Sequence, residues 1–195
     1  MSKQKTNIMA CGEIALGSLV DCTNLPAAGT RAIAYVMNYD DIASYTESGG
    51  VITAITMVGA TVAYKFTGLG NSFKGSADFA RSANTGLGHY KHKESIIIYE
   101  RTQAQKDNIK NFGNARVVVA LLLNGTDADS IILLGKDVGL QLSPGEIWNA
   151  FANEGLFVLN MATPEGDTEN ESALPQSIYV TSRTATIAML DALLV

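Results

Sequence analysis

Residues 115–123, Ala-Arg-Val-Val-Val-Ala-Leu-Leu-Leu, restrict the fold more than any other stretch of this chain. The run is nearly all apolar and is β-branched at its start. An apolar run of this length without alternation fits a strand buried on both faces. Such a strand needs neighbours, and the flanking sequence offers them. A turn over residues 124–129 leads into residues 130–134, which pair back antiparallel. Residues 31–37 form a first core strand, with Ile33, Tyr35 and Met37 alternating against Ala32, Ala34 and Val36. Residues 156–161 are another strand.

Other segments read less directly. Residues 39–50 are polar, end in Ser48-Gly49-Gly50 and read as a loop. Residues 51–57 and 60–67 read as a hairpin around Val58-Gly59. Residues 68–88 are rich in Gly, Ser and Asn and read as a long loop, of the kind that is functional or ordered by a partner. Residues 87–100 form a long strand, wet where His89, Lys91 and Lys93 alternate and buried where Ile96-Ile97-Ile98 begins. Thr102-Gln103-Ala104-Gln105 is a capping box that starts a helix over residues 102–112. Its apolar stripe, Ala104, Ile109 and Phe112, is narrow, so the helix lies on a surface. Gly113 is expected at C′ in the left-handed conformation. Residues 146–151, with Trp148, have no settled state. Residues 163–173 read as an acidic surface loop. Residues 178–194 alternate weakly and end in an apolar tail that docks on its own core or on a neighbour. Many short strands and one main helix predict a mainly β chain, an antiparallel sandwich or barrel with a helix on its flank near residues 102–112.

With 195 residues, 47% hydrophobic and 17% charged, the chain fits one folded domain with an arm over residues 1–30. No apolar run reaches the roughly 18–20 residues of a membrane span, so no membrane partner is expected. Residues 7–11 are too short and mixed for a secretory core, which points to synthesis in the cytoplasm. Cys11 and Cys22 read as small buried apolar residues; whether they pair is left open. The net charge of −5 opposes binding by phosphate neutralisation. Its distribution is uneven. Residues 61–120 hold nine Lys and Arg against four Asp and Glu, whereas residues 121–195 hold two against ten. Opposite signs on different faces of one subunit favour head-to-tail association.

The chain carries no recognisable catalytic signature. Gly68-Leu69-Gly70 lacks the third glycine and following helix of a dinucleotide fingerprint. Gly135-Lys136-Asp137 lacks the spacing and the Ser/Thr of a phosphate loop. His89 and His92, three apart on a strand, point to opposite faces and suit no shared metal; both read as surface or strand-end residues. Glu165, Asp167, Glu169 and Glu171 do not match a calcium loop and read as solvated. The expectation is a non-enzyme with no catalytic residues, no metal and no cofactor.

Taken in order, the central features resemble the tail tube proteins of long-tailed bacteriophages and the related tubes of injection machines. The resemblance rests on a hairpin, a long loop, a strand opening His89-Tyr90-Lys91-His92, a short helix opening Thr102-Gln103-Ala104-Gln105-Lys106, the strand at Arg116 to Val119, and Leu134-Gly135-Lys136-Asp137-Val138-Gly139-Leu140. It covers roughly the central 40% of the chain. It implies two packed β-sheets and a flanking helix, with six subunits in a ring. Rings stack head to tail, and one sheet of each subunit joins its neighbours around a lumen. The implied partners are copies of itself, other tail proteins and genome DNA passing without specific binding, in a virion tail assembled in the host cytoplasm. An acidic lumen that lets DNA slide is expected from the net charge. Two alternatives stand beside this: a tail completion or connector protein, and a β-rich ligand-binding module.

Overall fold

The structure, a computed structural model, describes residues 29–194 apart from 71, 83–85, 126–127 and 166–169. Cys11, Cys22 and nearly all of the expected arm lie outside the described residues. In chain order the strands are β1 (Thr30–Asn38), β2 (Ile42–Ser48), β3 (Val51–Met57), β4 (Tyr64–Thr67), β5 (Phe73–Arg81), β6 (Gly88–Ile98), β7 (Val117–Leu123), β8 (Ile131–Leu134), β9 (Gln141–Leu142), β10 (Phe157–Ala162) and β11 (Gln176–Ser177). Helix α1 is Gln103–Phe112 and helix α2 is Arg183–Asp191.

Among the described residues the strands form three antiparallel sheets. A central five-stranded sheet has the order β11-β8-β7-β1-β4, a four-stranded sheet the order β5-β6-β10-β9, and β2-β3 is a two-stranded hairpin. The mainly β, sandwich-like expectation is therefore borne out, with a further layer added. β7 sits in the middle, and its side chains divide by parity. Val117, Val119 and Leu121 join Ala34 and Val36 of β1 in one core, against Phe73, Ile96, Ile98, Leu159 and Met161 of the four-stranded sheet and Ile109 and Phe112 of α1. Val118, Ala120 and Leu122 join Tyr35 and Met37 in a second core, against Ile52 and Ile55 of β3 and Leu190 of α2. Period-2 alternation applied to an all-apolar strand thus builds two cores from one sequence run. Full burial of each such side chain contributes roughly 1.5–3 kcal/mol.

Local sequence explains the elements that depart from expectation. Residues 39–50 are not a loop: a short 3-10 turn at Tyr39–Asp41 is followed by β2. β2 shows little apolar alternation because most of its residues face solvent. The Gly49-Gly50 pair, at φ 61° and 82°, closes β2 onto β3. Two adjacent residues at positive φ suit the twist of a tight hairpin, and glycine supplies them without steric cost. The hairpin expected from residues 51–57 and 60–67 does not form, because β3 pairs with β2 and β4 pairs with β1. Residues 68–88 are not a loop throughout, since Phe73–Arg81 forms β5. Its glycines and serines are tolerated because an edge strand packs one flank only, and Gly75 lets β5 approach the core. A Cβ there would meet Leu121 Cδ2 at 2.8 Å and Leu134 Cδ1 at 3.1 Å.

Helix α1 begins at the expected cap, with Thr102 accepting from the Gln105 N–H at 3.3 Å. Ile109 and Phe112 are buried as expected, whereas Ala104 is exposed. Gly113 is right-handed (φ −61°) and does not adopt the left-handed C′ conformation. Residues 178–194 are not an alternating strand. Ser182 caps α2 by accepting from the Ala185 N–H at 3.1 Å, and Thr186 and Leu190, four apart, share its buried face. The apolar tail docks on its own protein: Leu193 and Leu194 pack against the second core, and Ala63 N–H donates to Leu193 O at 2.7 Å.

Candidate assembly interface

The four-stranded sheet covers the first core with one face, and among the described residues no strand or helix packs over the other. In the register of β5 and β6, Phe73 faces Ile96, Gly75 faces Glu94 and Ala77 faces His92 on the inner face. By alternation the outer face carries Lys74, Ser76 and Asp78 of β5, Lys91, Lys93 and Ser95 of β6, and Asn160 of β10. Lys93 Nζ bonds Asp78 Oδ2 at 2.5 Å. This face also carries the half-buried Ile97 and Val158, and it is richer in lysine than in carboxylate.

Among the described residues β5 is also an edge strand, paired only with β6. Ile97 N–H donates to Ser72 O, and both backbone groups of Tyr90 pair with Glu171 on the β10 side. Carried along the register, these bonds turn the N–H and C=O of Gly75, Ala77 and Phe79 away from β6. The opposite edge of the sheet is β9, only two residues long. Towards its tip the β5–β6 pair carries exposed apolar groups. Phe79 is 57% exposed, packs edge-on against Tyr90 at 5.6 Å and lies under Arg81 at 5.7 Å, and Leu87 is 70% exposed.

Beneath the sheet runs a buried polar seam that sequence reasoning missed. His92 is not a surface residue; it is 1% exposed. Its Nδ1 accepts from the Gly135 N–H at 3.1 Å and its Nε2 lies 3.0 Å from Ala173 O, so the ring is neutral with its proton on Nε2. Burial lowers its pKa. Glu171 is equally buried, unlike the solvated loop residue expected, and accepts from Asp137 N–H at 2.9 Å and Val138 N–H at 3.2 Å. Desolvation raises its pKa against those bonds. Ser172 donates to Asp137 Oδ2 from both N–H and Oγ, at 2.8 and 2.6 Å. Lys136 bonds Glu47 and, at 2.8 Å, Gln176 Oε1. The Gly135–Val138 turn is thus a structural tie between β6, the acidic segment, the β2–β3 hairpin and β11. No phosphate cradle is formed there.

Two positions along β6 from His92, Glu94 is 2% exposed against Gly75. Neither carboxyl oxygen makes a hydrogen bond of good geometry. Desolvation pushes its pKa up to about 8, outweighing a small opposing effect of the Lys74 backbone amide. His92 and Glu94 are invisible as core residues in the sequence because alternation places them at inward positions that are normally apolar.

Near α1 lie two surface concavities. One, of about 170 Å³, is bordered by Tyr64, Phe66, Asn108, Asn111, Phe112 and Val117. The other is bordered by Arg101, Lys106, Trp148, Gly155 and Phe157. Among the described residues no group of three or more His, Cys, Asp or Glu is placed to hold a metal ion, and no helix is long and apolar enough to cross a membrane. His89 and His92 occupy opposite faces of β6 and are not brought together. Compared with known proteins, the chain matches no family model, no curated protein and no solved structure.

Proposed function

We propose that this chain is a structural subunit that assembles with copies of itself into rings, which stack as the tail tube of a long-tailed bacteriophage or a related injection machine. The observation that carries the reading is the edge of β5, which among the described residues pairs with no second strand and is met at its start by the Thr30 hydroxyl, donating to Phe73 O at 2.6 Å, in a sheet whose outer face no described strand or helix pairs with. An edge of that kind is a template for another strand, and closure of a ring removes such edges. The central sheet is poorly suited to the task, since both its faces are covered and its edges are four and two residues long. In the proposed arrangement the face carrying Ser76, Ser95 and Asn160 lines the lumen, and its lysines make DNA passage dependent on salt.

The test is a concentration series of the purified chain by light scattering and negative-stain microscopy. Rings or tubes that grow with concentration are expected. Ala77→Pro removes an edge N–H while leaving the ladder to β6 intact, so it should keep the fold by circular dichroism and lose assembly. A chain that stays strictly monomeric at high concentration overturns the reading, and a closed ring that never stacks favours a connector role.

A further inference from the structure

The groove at the start of α1 is lined by Arg101, Lys106, Trp148, Gly155 and Phe157, and its walls are mainly apolar. Trp148 and Phe157 are paired across an antiparallel bridge, so their rings stand on one side of the chain. Trp148 is 53% exposed, and one edge of its ring is fixed, where Nε1–H donates to Gly155 O at 3.0 Å. The turn behind it is tied in place. Asn149 Oδ1 accepts from the Phe151 N–H at 2.8 Å and the Ala152 N–H at 2.9 Å, and Gly155 N–H donates to Asn149 O at 3.0 Å. A flat aromatic face held in water on a preorganised turn receives a planar ring with little further loss of freedom.

The same lining carries two cations and no carboxylate. Arg101 Nη2 donates to Glu154 O at 2.8 Å, and among the described residues this is the guanidinium's one hydrogen bond. The group lies against Gly155, where a Cβ would meet Nη2 at 3.3 Å and Cζ at 3.4 Å. Gly155 also takes φ 71°, so glycine serves both the turn and this close approach. A guanidinium has five N–H donors in a planar fork, so most of those on Arg101 remain for an anion. The Lys106 ammonium makes no hydrogen bond or ion pair among the described residues. Carboxylates of the same two segments are engaged elsewhere. Glu100 accepts from Thr102 Oγ1 at 2.9 Å, Asp107 from Gln103 Nε2 at 3.0 Å and Glu146 from Asn149 Nδ2 at 3.0 Å, while Glu154 meets Arg101 through its main chain.

We propose that this groove binds a nucleotide, with the base stacked on Trp148 and Phe157 and the phosphate held between Arg101 and Lys106. Two flat rings select a planar ring system, and two cations with no carboxylate between them select an anion. The groove's volume of about 430 Å³ falls within the roughly 300–1,000 Å³ of small-molecule sites. The net charge of −5 opposes binding along a nucleic-acid backbone, but a single phosphate needs only the two local cations. A free nucleotide and an unpaired unit of a single strand present the same ring and phosphate. The inference is independent of the self-assembly reading.

Trp148 is the only tryptophan, so its emission reports on the site. The full chain, kept below the concentration at which light scattering rises, is titrated with adenosine monophosphate, with adenosine, and with a short single strand of deoxythymidine. Heats are measured in parallel by calorimetry. Quenching by the monophosphate or the strand is expected, with adenosine at least tenfold weaker. Binding of the monophosphate assigns a free nucleotide, and binding of the strand alone assigns an unpaired unit. Lys106→Glu, at an exposed position, should keep the circular dichroism spectrum and weaken binding at least tenfold. Arg101→Lys should weaken it less than Arg101→Ala. The site is overturned by the absence of quenching and heat at millimolar ligand, by adenosine binding as tightly as the monophosphate and the strand, or by unchanged affinity in both Lys106→Glu and Arg101→Ala.

Discussion

Glu94 is a carboxyl group enclosed by Gly75, Leu121 and Leu134. Its pKa rises from 4.5 to about 8 because burial penalises the charged form. A group whose folded-state pKa is raised holds its proton more tightly when folded, so its contribution is fully favourable below the unfolded value and is lost as pH rises through the folded one. Stability should therefore fall between about pH 4.5 and 8, by an amount on the order of 5 kcal/mol at the limit. Glu94→Gln should flatten that limb and raise the denaturation midpoint at pH 8; urea titrations across the range would detect it, and an unchanged slope would refute it. His92 acts in the opposite direction. Its lowered pKa keeps the ring neutral when folded, so stability is retained above its ordinary value of 6.5 and is lost as pH falls below it. His92→Gln should weaken the acid limb of the same profile while leaving the alkaline limb in place.

At the level of elements, β7 is the strand on which both cores depend. Leu121 and Leu122 are neighbours in sequence, face opposite ways and are both buried. Truncating either to alanine should cost roughly 2–5 kcal/mol by denaturant unfolding; a cost below ~1 kcal/mol for one of them would mean that its face is not packed as described. A smaller loss, about 1 kcal/mol, is expected for Thr102→Ala, which removes the α1 cap. β7 was legible in the sequence because burial on both faces leaves no polar residue after Arg116, and the α1 start because Thr102 and Gln105 have the cap spacing. β2 and β5 were not legible. Each presents polar or small residues to water along most of its length, so neither shows the alternation that marks a half-buried strand. α2 was misread because its threonines favour strands and its buried positions are only Thr186 and Leu190. In the candidate interface, the basic character of His89, Lys91 and Lys93 was visible, whereas the burial of His92, Glu94 and Glu171 depends on strands brought together from distant parts of the chain.

For the whole molecule, the shared central sheet makes the two cores one cooperative unit. β1 and β7 contribute to both, so neither core can melt without exposing the back of the other. Methyl resonances of Leu121 and Leu122 should disappear at the same denaturant concentration; separate midpoints would show that the layers unfold independently. The order of pairing carries a kinetic consequence. β1 is the first described strand, yet its central partner is β7, with Ala34 opposite Leu121. During synthesis β4 can pair with one edge of β1 early, but the edge that meets β7 waits until more than half of the polypeptide has been made. Closing that large loop before any reward from contact places refolding in the slow range of non-local β topologies, about milliseconds to seconds. Through that interval the apolar residues of β1 are open to misassociation, so recovery of native protein should improve with cooler, slower expression.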